Sequence, residues 1–280
     1  MGFESGKHFF QFFYGWRLQA GNITRTYMEE PFALIDRLRR AAALVADRHD
    51  DGEKAGGGFE VRLAAGQLHE IHALSSEESA SGAGFALGCA LAVGARPILW
   101  LRTEAAERQG GRLHGPGLVA MGLDPADLVV VVVADDAALL RAAADGASCP
   151  GLGTVIAEGW GAMRGLDLTA SRRLMLAAEA SGVLMLVLRV GGQVVPSAAT
   201  TRWSVASAPS RALAAEAPGA PAYDLELLRR RGGPAGARWR VEWNRDTQSF
   251  DPAPLSGARL PLVADRAVAG PAPAPVRGAG

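Results

Sequence analysis

The sequence predicts an α/β protein: a mostly parallel sheet flanked by helices, extended on its C-terminal side by antiparallel strands. Three observations carry this. Apolar runs of strand length recur, such as "LVVVVVA" (128–134) and "GVLMLVLRV" (182–190); they are far short of the roughly 20 residues a membrane span needs and read as strands buried on both faces. Segments of helical length alternate with them, the pattern of a sheet covered on two sides. After residue 197 the pattern changes to a period of two.

In order, strands are expected at 68–74, 97–102, 128–133, 153–157 and 183–188, and helices at 80–94, 116–121, 136–146 and 168–181. "TTRWSVAS" (200–207), "AYDLELLRR" (222–230) and "ARWRVEWN" (237–244) then read as antiparallel strands on one edge, with "RRGGPAG" as the turn between the last two. Before the core, "MEEPFALIDRLRRAAALVADR" from Met28 has Ile35, Leu38, Ala42 and Val45 near one helical face, and "HDDGEKAGGGFE" (49–60) has linker composition. The expected organisation is an N-terminal segment over 1–30, disordered or outside the native chain; a helix and linker over 31–60; a core over 61–250; and a disordered Pro/Ala-rich tail over 251–280.

The 280 residues carry zero net charge, which argues against a general polyanion binder, and the start lacks the charge and hydropathy order of a signal peptide, so a cytoplasmic location is expected. Charge is nevertheless divided: residues 64–159 sum to −6 and residues 160–250 to +5. Cys89 and Cys149 form no disulfide framework and are expected to be reduced. His69 and His72, three apart on a strand, face opposite sides, so no metal site is expected of them.

The stretch "LHEIHALSSEESASGAGFALGCALA" (68–92) stands where a strand–loop–helix would hold a nucleotide. A phosphate loop needs glycines that turn backbone N–H groups to the phosphates, a lysine for their charge and a hydroxyl for magnesium. Ser81 and Gly82 match the end of such a loop, but Ala83 stands at the lysine position, Gly84 at the hydroxyl position and Glu77 where the first glycine should be. The alternative is structural: Ser79 or Ser81 caps the helix, and Gly82, Gly84 and Gly88 allow close packing on the sheet. No nucleotide or other cofactor is therefore expected, and the sequence points away from an enzyme. Two acids stand where an ATPase would use them. Glu158 ends "TVIAE", and Glu104 follows "LWLRT" at a carboxyl edge; each is equally explained as a structural or solvated acid.

This order of parts resembles the RecA core. Within that fold, "LHEIHA" (68–73), "GRLHGPGL" (111–118), "GLDPADLVVV" (122–131), "LDLTASRRLMLAAEASGVLMLVLR" (166–189), "SAATTRWSVASAPS" (197–210) and "LLRRRGGPAGARWRVEW" (227–243) are similar to the ImuA family of bacterial inducible-mutagenesis cassettes, over about residues 30–262. The resemblance implies a damage-induced, SOS-type role in translesion synthesis, as an adaptor beside an ImuB-like Y-family homologue and a DnaE-type polymerase. RecA and single-stranded DNA are further candidate partners, and a membrane is not. It also implies that "GWGAMRGLDLTASRR" (159–173) and "VGGQVVPSAATTR" (190–202) match DNA-binding loops. Trp160, Arg164, Arg172 and Arg173 are then candidate contacts, as are Arg229 and Arg231, which alternation places on one face of the hairpin. For each the alternative is structural: Trp160 covers the sheet end, the helix arginines are a solvated face, and the hairpin arginines protect an edge. Two other functions stay open, a DNA-stimulated ATPase with an atypical loop and a SulA-like cell-division inhibitor.

Overall fold

The computed structural model describes residues 63–211, 213, 217 and 219–253, with the backbone of residues 17 and 18. The segments expected to be an N-terminal helix and a linker, and the chain beyond residue 253, lie outside the described residues. The strands are β1 (Arg17–Leu18), β2 (Leu68–Ala73), β3 (Ile98–Thr103), β4 (Leu128–Val133), β5 (Thr154–Trp160), β6 (Leu184–Val190), β7 (Thr201–Ser207), β8 (Ala222–Arg230), β9 (Arg238–Asn244) and β10 (Ser249–Pro252). The helices are α1 (Ser79–Val93), α2 (Glu104–Gly110), α3 (Gly115–Ala120), α4 (Asp136–Ala147) and α5 (Leu168–Ser181).

These strands form one sheet in the order β1-β4-β3-β5-β6-β2-β7-β8-β9-β10. From β4 through β7 all pairings are parallel, and β8, β9 and β10 continue antiparallel. One expectation is corrected here: β7 runs parallel to β2, so the antiparallel extension begins only at β8. Alternation tells which side chains share a face, not which way a strand runs. Direction is set by residues 191–200, which return along the whole of β2: Gly191 N–H donates to Ala73 O at one end, and Thr200 N–H to Leu68 O at the other. The sheet also gains β10 beyond the expected core, and Glu104 opens α2 rather than lying in a loop.

The sequence of α1, "SASGAGFALGCALAV", has no charged residue and therefore no face for water. The fold wraps it. Gly82 lies against Leu188 and Ala73 of the sheet, and Gly88 against Phe250 and Trp243. Phe85 packs on Phe250, Tyr223 and Trp203 at ring-centroid distances of 5.1, 6.0 and 6.2 Å. The wrap closes where β9 and β10 meet the segment after α3: Trp243 Nε1–H donates to Met121 O at 2.9 Å, and Gln248 Nε2–H to Gly122 O at 3.1 Å. On the other face, α4 and α5 cover β3, β5, β6 and β2. Both helices start as their sequences require, with Asp135 and Asp167 side chains accepting from the N–H groups of Ala138 and Ala170.

Candidate functional site

The stretch that occupies the place of a phosphate loop is built as packing. After β2 the chain makes one 3-10 turn over Ser76–Glu78 and enters α1. Neither Ser79 nor Ser81 caps the helix, which corrects the capping expectation: the N-cap is Glu78, with no side-chain bond to the helix. Its carboxylate instead accepts the Ser207 N–H at 2.6 Å, joining the turn to the end of β7. Ala83 packs against the α1-side core. A Cβ at Gly84 would come within 2.6 Å of the Tyr223 hydroxyl, so the volume next to the hydroxyl position is already filled by a β8 side chain. The residues present do not fit a magnesium nucleotide: the cation and the oxygen ligand are absent, Glu77 and Glu78 are acidic, and Tyr223 stands in the way. Gly84→Thr is accordingly expected to destabilise by about 1–3 kcal/mol through overpacking; a Gly84→Thr protein with unchanged urea midpoint would show that Tyr223 yields freely.

Glu158 is part of a buried knot. The register sets Arg102 of β3 opposite Glu158 of β5, with Trp100 and Trp160 two residues away on the same faces. Arg102 donates Nε–H to Oε2 and a terminal N–H to Oε1, both at 2.8 Å; Trp100 donates to Oε2 at 2.9 Å and Trp160 to Oε1 at 2.8 Å. Each carboxylate oxygen thus accepts two bonds, and the group is only 2% exposed. The arrangement is that of a structural ion pair, with no lone pair left to take a proton from water. Trp160 is half-buried and also lies against Gly110 of α2, which has no room for a side chain there. Glu104 is exposed on α2 and pairs with Arg108 at 3.7 Å.

A second buried cluster forms on the α5 side. Arg202 of β7 donates Nε–H to Glu70 Oε2 at 2.7 Å, and its NH2 group reaches Val195 O and Ser197 Oγ, both at 2.8 Å. Burial pushes the Glu70 carboxyl up, but hydrogen bonds from His72, Arg202 and Ser197 and the Arg202 charge outweigh it and hold the group below its usual range. Sequence reading passed over Glu70, Arg102 and Arg202. The available signal was a charged residue inside each of the apolar runs "LHEIHA", "ILWLRT" and "TRWSVAS", since buried charges come paired.

His69, fully buried, shares a 2.8 Å hydrogen bond with Thr201 Oγ1. Burial lowers its pKa from 6.5 to about 4, opposed in part by a backbone hydrogen bond at Ala64. The unfolded chain takes up this proton as the pH falls through 6.5, and the folded chain only near 4. Stability from this group is complete above the higher value and falls by about 3 kcal/mol on acidification to the lower one. Urea titrations across that range should show the loss, and His69→Gln should flatten it.

The remaining predicted residues do not converge. Trp160 ends β5 and Arg164 lies just beyond the carboxyl end of that strand, and Arg172 and Arg173 are exposed on α5. Arg229 and Arg231 stand at the opposite end, beside the start of β7. Arg229 donates to Ser197 O at 2.7 Å and Arg231 to Ala198 O at 3.3 Å. Both meet one segment, in line with their shared face, and together with Arg202 they fasten residues 195–198 to the sheet. The hairpin face outside the core is a ladder of paired charges, Asp224 with Arg240 and Glu226 with Arg238. Among the described residues no cluster of His, Cys, Asp or Glu could hold a metal ion, and no helix is long and apolar enough to cross a membrane. Cys89 is buried and Cys149 half-buried; both are free.

A mostly parallel sheet in this order, with a strand–turn–helix at the nucleotide position whose phosphate-binding groups are replaced, defines a RecA-like α/β protein. No family model matches the chain. It is 33% identical to Protein ImuA of two Caulobacter vibrioides strains, NA1000 / CB15N and ATCC 19089 / CIP 103742 / CB 15, over an alignment of 210 positions that covers 70% of this chain and 74% of the relative. The chain belongs to the ImuA family. Among solved structures it is similar to the RadB recombinase, with a TM-score of 0.47 and 14% identity over 69% of this chain and 93% of that one.

Proposed function

We propose that this protein is a non-catalytic, RecA-like adaptor of SOS-induced, error-prone translesion synthesis, acting in the cytoplasm with an ImuB-like homologue and a DnaE-type polymerase. Membership of the ImuA family supports the setting. The observation that carries the non-catalytic reading is the filled nucleotide position: Ala83, half-buried, packs against the core and Gly84 lies under the Tyr223 hydroxyl. Glu158, the acid at the place of a metal-binding carboxylate, is saturated by Arg102, Trp100 and Trp160. With no cation or hydroxyl at Ala83 and Gly84 and no free oxygen on Glu158 to hold a magnesium triphosphate, contact with partners through the surface is the function that this reading leaves.

Titration calorimetry with ATP and Mg²⁺ should give no saturable heat, and phosphate release should stay at background with single-stranded DNA added. Purified ImuB-like and DnaE-type proteins should be retained by the immobilised chain without nucleotide. Saturable micromolar ATP binding with turnover would replace this reading with that of an atypical ATPase.

A further inference from the structure

Helix α5 presents apolar residues on two sides. Its inner side, with Ser171, Leu174 and Ala178, is buried against the sheet. A second side carries Leu168 and Leu176, which are 57% and 49% exposed. Arg172 stands midway between them, so the three residues fall in one line along the helix, and Met175, half-buried, is the neighbour of Arg172 one turn on. A single exposed leucine is ordinary on a protein surface; two in one line, with a methionine and the stem of an arginine between them, make a continuous apolar strip.

The strip is rimmed by cations that the fold leaves without a counter-charge. Arg172 and Arg173 are exposed and make no ion pair or hydrogen bond among the described residues. Arg231, just past β8, comes up to the same side: its NH2 group lies 3.3 Å from Met175 Sδ and 3.3 Å from Ala198 O, and it meets no acid. Elsewhere on the surface arginines are paired, Arg238 with Glu226 and Arg240 with Asp224 on the hairpin and Arg108 with Glu104 on α2. The acids at the two ends of the strip are Asp167, whose side chain accepts the Ala170 N–H as the N-cap of α5, and Glu179, three residues past Leu176. A nucleic acid would use the cations and leave the leucines without a role, and α5 has no aromatic ring on which a base could stack. An apolar centre inside a charged rim, with methionine and arginine in it, is the make-up of a protein-binding face.

We propose that this side of α5, from Leu168 through Arg172 and Met175 to Leu176 with Arg173 and Arg231 at its rim, is a protein-docking surface whose occupant is an acidic segment with apolar anchors on one of the partners of the adaptor reading, on which this inference rests. The anchors lie along the leucine strip, and the carboxylates of the segment neutralise the rim arginines. The exposed rim orients the encounter and weakens with salt, while the strip holds the complex once formed.

The test is the affinity of the purified ImuB-like and DnaE-type proteins for the immobilised full chain. Leu168→Glu with Leu176→Glu should raise the Kd for one of them by about tenfold or more. Arg172→Glu with Arg173→Glu should weaken the same partner, and the parent's affinity for it should fall as salt is raised. Arg112→Glu, at an exposed residue on the α1 side of the sheet, should leave binding unchanged. Urea midpoints, expected to match the parent's at these exposed positions, separate lost docking from lost folding; should the leucine pair unfold the chain, the arginine pair decides alone. If the parent retains neither partner, the adaptor reading falls and this inference with it. If the parent retains a partner and both pairs of variants retain it equally well, the docking surface alone is overturned. It is also overturned if the arginine pair loses binding of a single-stranded oligonucleotide but keeps both proteins, which would make the face a nucleic-acid track, or if the parent self-associates in sedimentation and the leucine pair does not, which would seat a second copy there.

Discussion

Replacing Glu158 by alanine is expected to cost about 3–5 kcal/mol of folding stability, the range for removing one partner of a buried ion pair. The carboxylate accepts from Arg102 twice and from Trp100 and Trp160 once each, and the Arg102 and Glu158 side chains are 4% and 3% exposed. Alanine leaves a guanidinium buried with its bond to Gly111 O as its remaining partner, and two indole N–H groups with none. Removing both charges together, as in Arg102→Met with Glu158→Leu, should recover most of the loss, because the desolvation cost of the pair goes with it. Urea unfolding of the three variants gives the comparison directly. A Glu158→Ala protein as stable as the parent would mean that the carboxylate is poised for chemistry and not for structure. Any effect of Glu158→Ala on induced mutagenesis reports folding first, so the stability measurement has to precede the cellular one.

Arg202→Met should lose a similar amount, about 3–5 kcal/mol, with a local consequence that the Glu158 variant lacks. The same guanidinium neutralises Glu70 and holds Val195 O and Ser197 Oγ. Without it, burial and the missing counter-charge push the Glu70 carboxyl up rather than down. In the parent chain, where the folded pKa is depressed, Glu70 stabilises above its ordinary value of 4.5 and the contribution is lost as pH falls through the folded value. In the variant the raised pKa makes the ionised group a cost that is relieved as the pH falls towards 4.5, so stability should rise on acidification over that range where the parent's does not. Residues 191–200 should also open to protease, since they cross β2 with no helix or strand of their own and are fastened by Arg202, Arg229 and Arg231. Cleavage no faster than in the parent would show that Arg229 and Arg231 suffice.

The fold was legible because its signals are local. "LVVVVV" occupies β4 at the expected residues, and "LTASRRLMLAAEAS" occupies α5 as expected. Trp239 and Trp243, four apart on β9, share a face as strand alternation requires, and both pack with the core around α1. The short helix α2 was missed because "EAAERQG" follows β3 without a break, and its start depends on a cap from Thr103, a residue that also ends the strand. β10 was missed because "SFDP" is short and contains proline; it forms only because Phe250 has the buried surface of α1 to pack on.

The sequence by itself determined an α/β chain with a mostly parallel sheet whose phosphate-loop position lacks the cation and the hydroxyl, because those conclusions rest on periodicity and on residue identity along the chain, and its likeness to a relative 33% identical determined membership of the ImuA family. Only the tertiary structure decided the direction of β7, the four-donor saturation of Glu158, the presence of Tyr223 over Gly84 and the pairing of Arg202 with Glu70. Each depends on residues brought together across the sheet from distant parts of the chain, and the energy of a buried charge is set by its neighbours in space, which the order of residues along the chain does not specify.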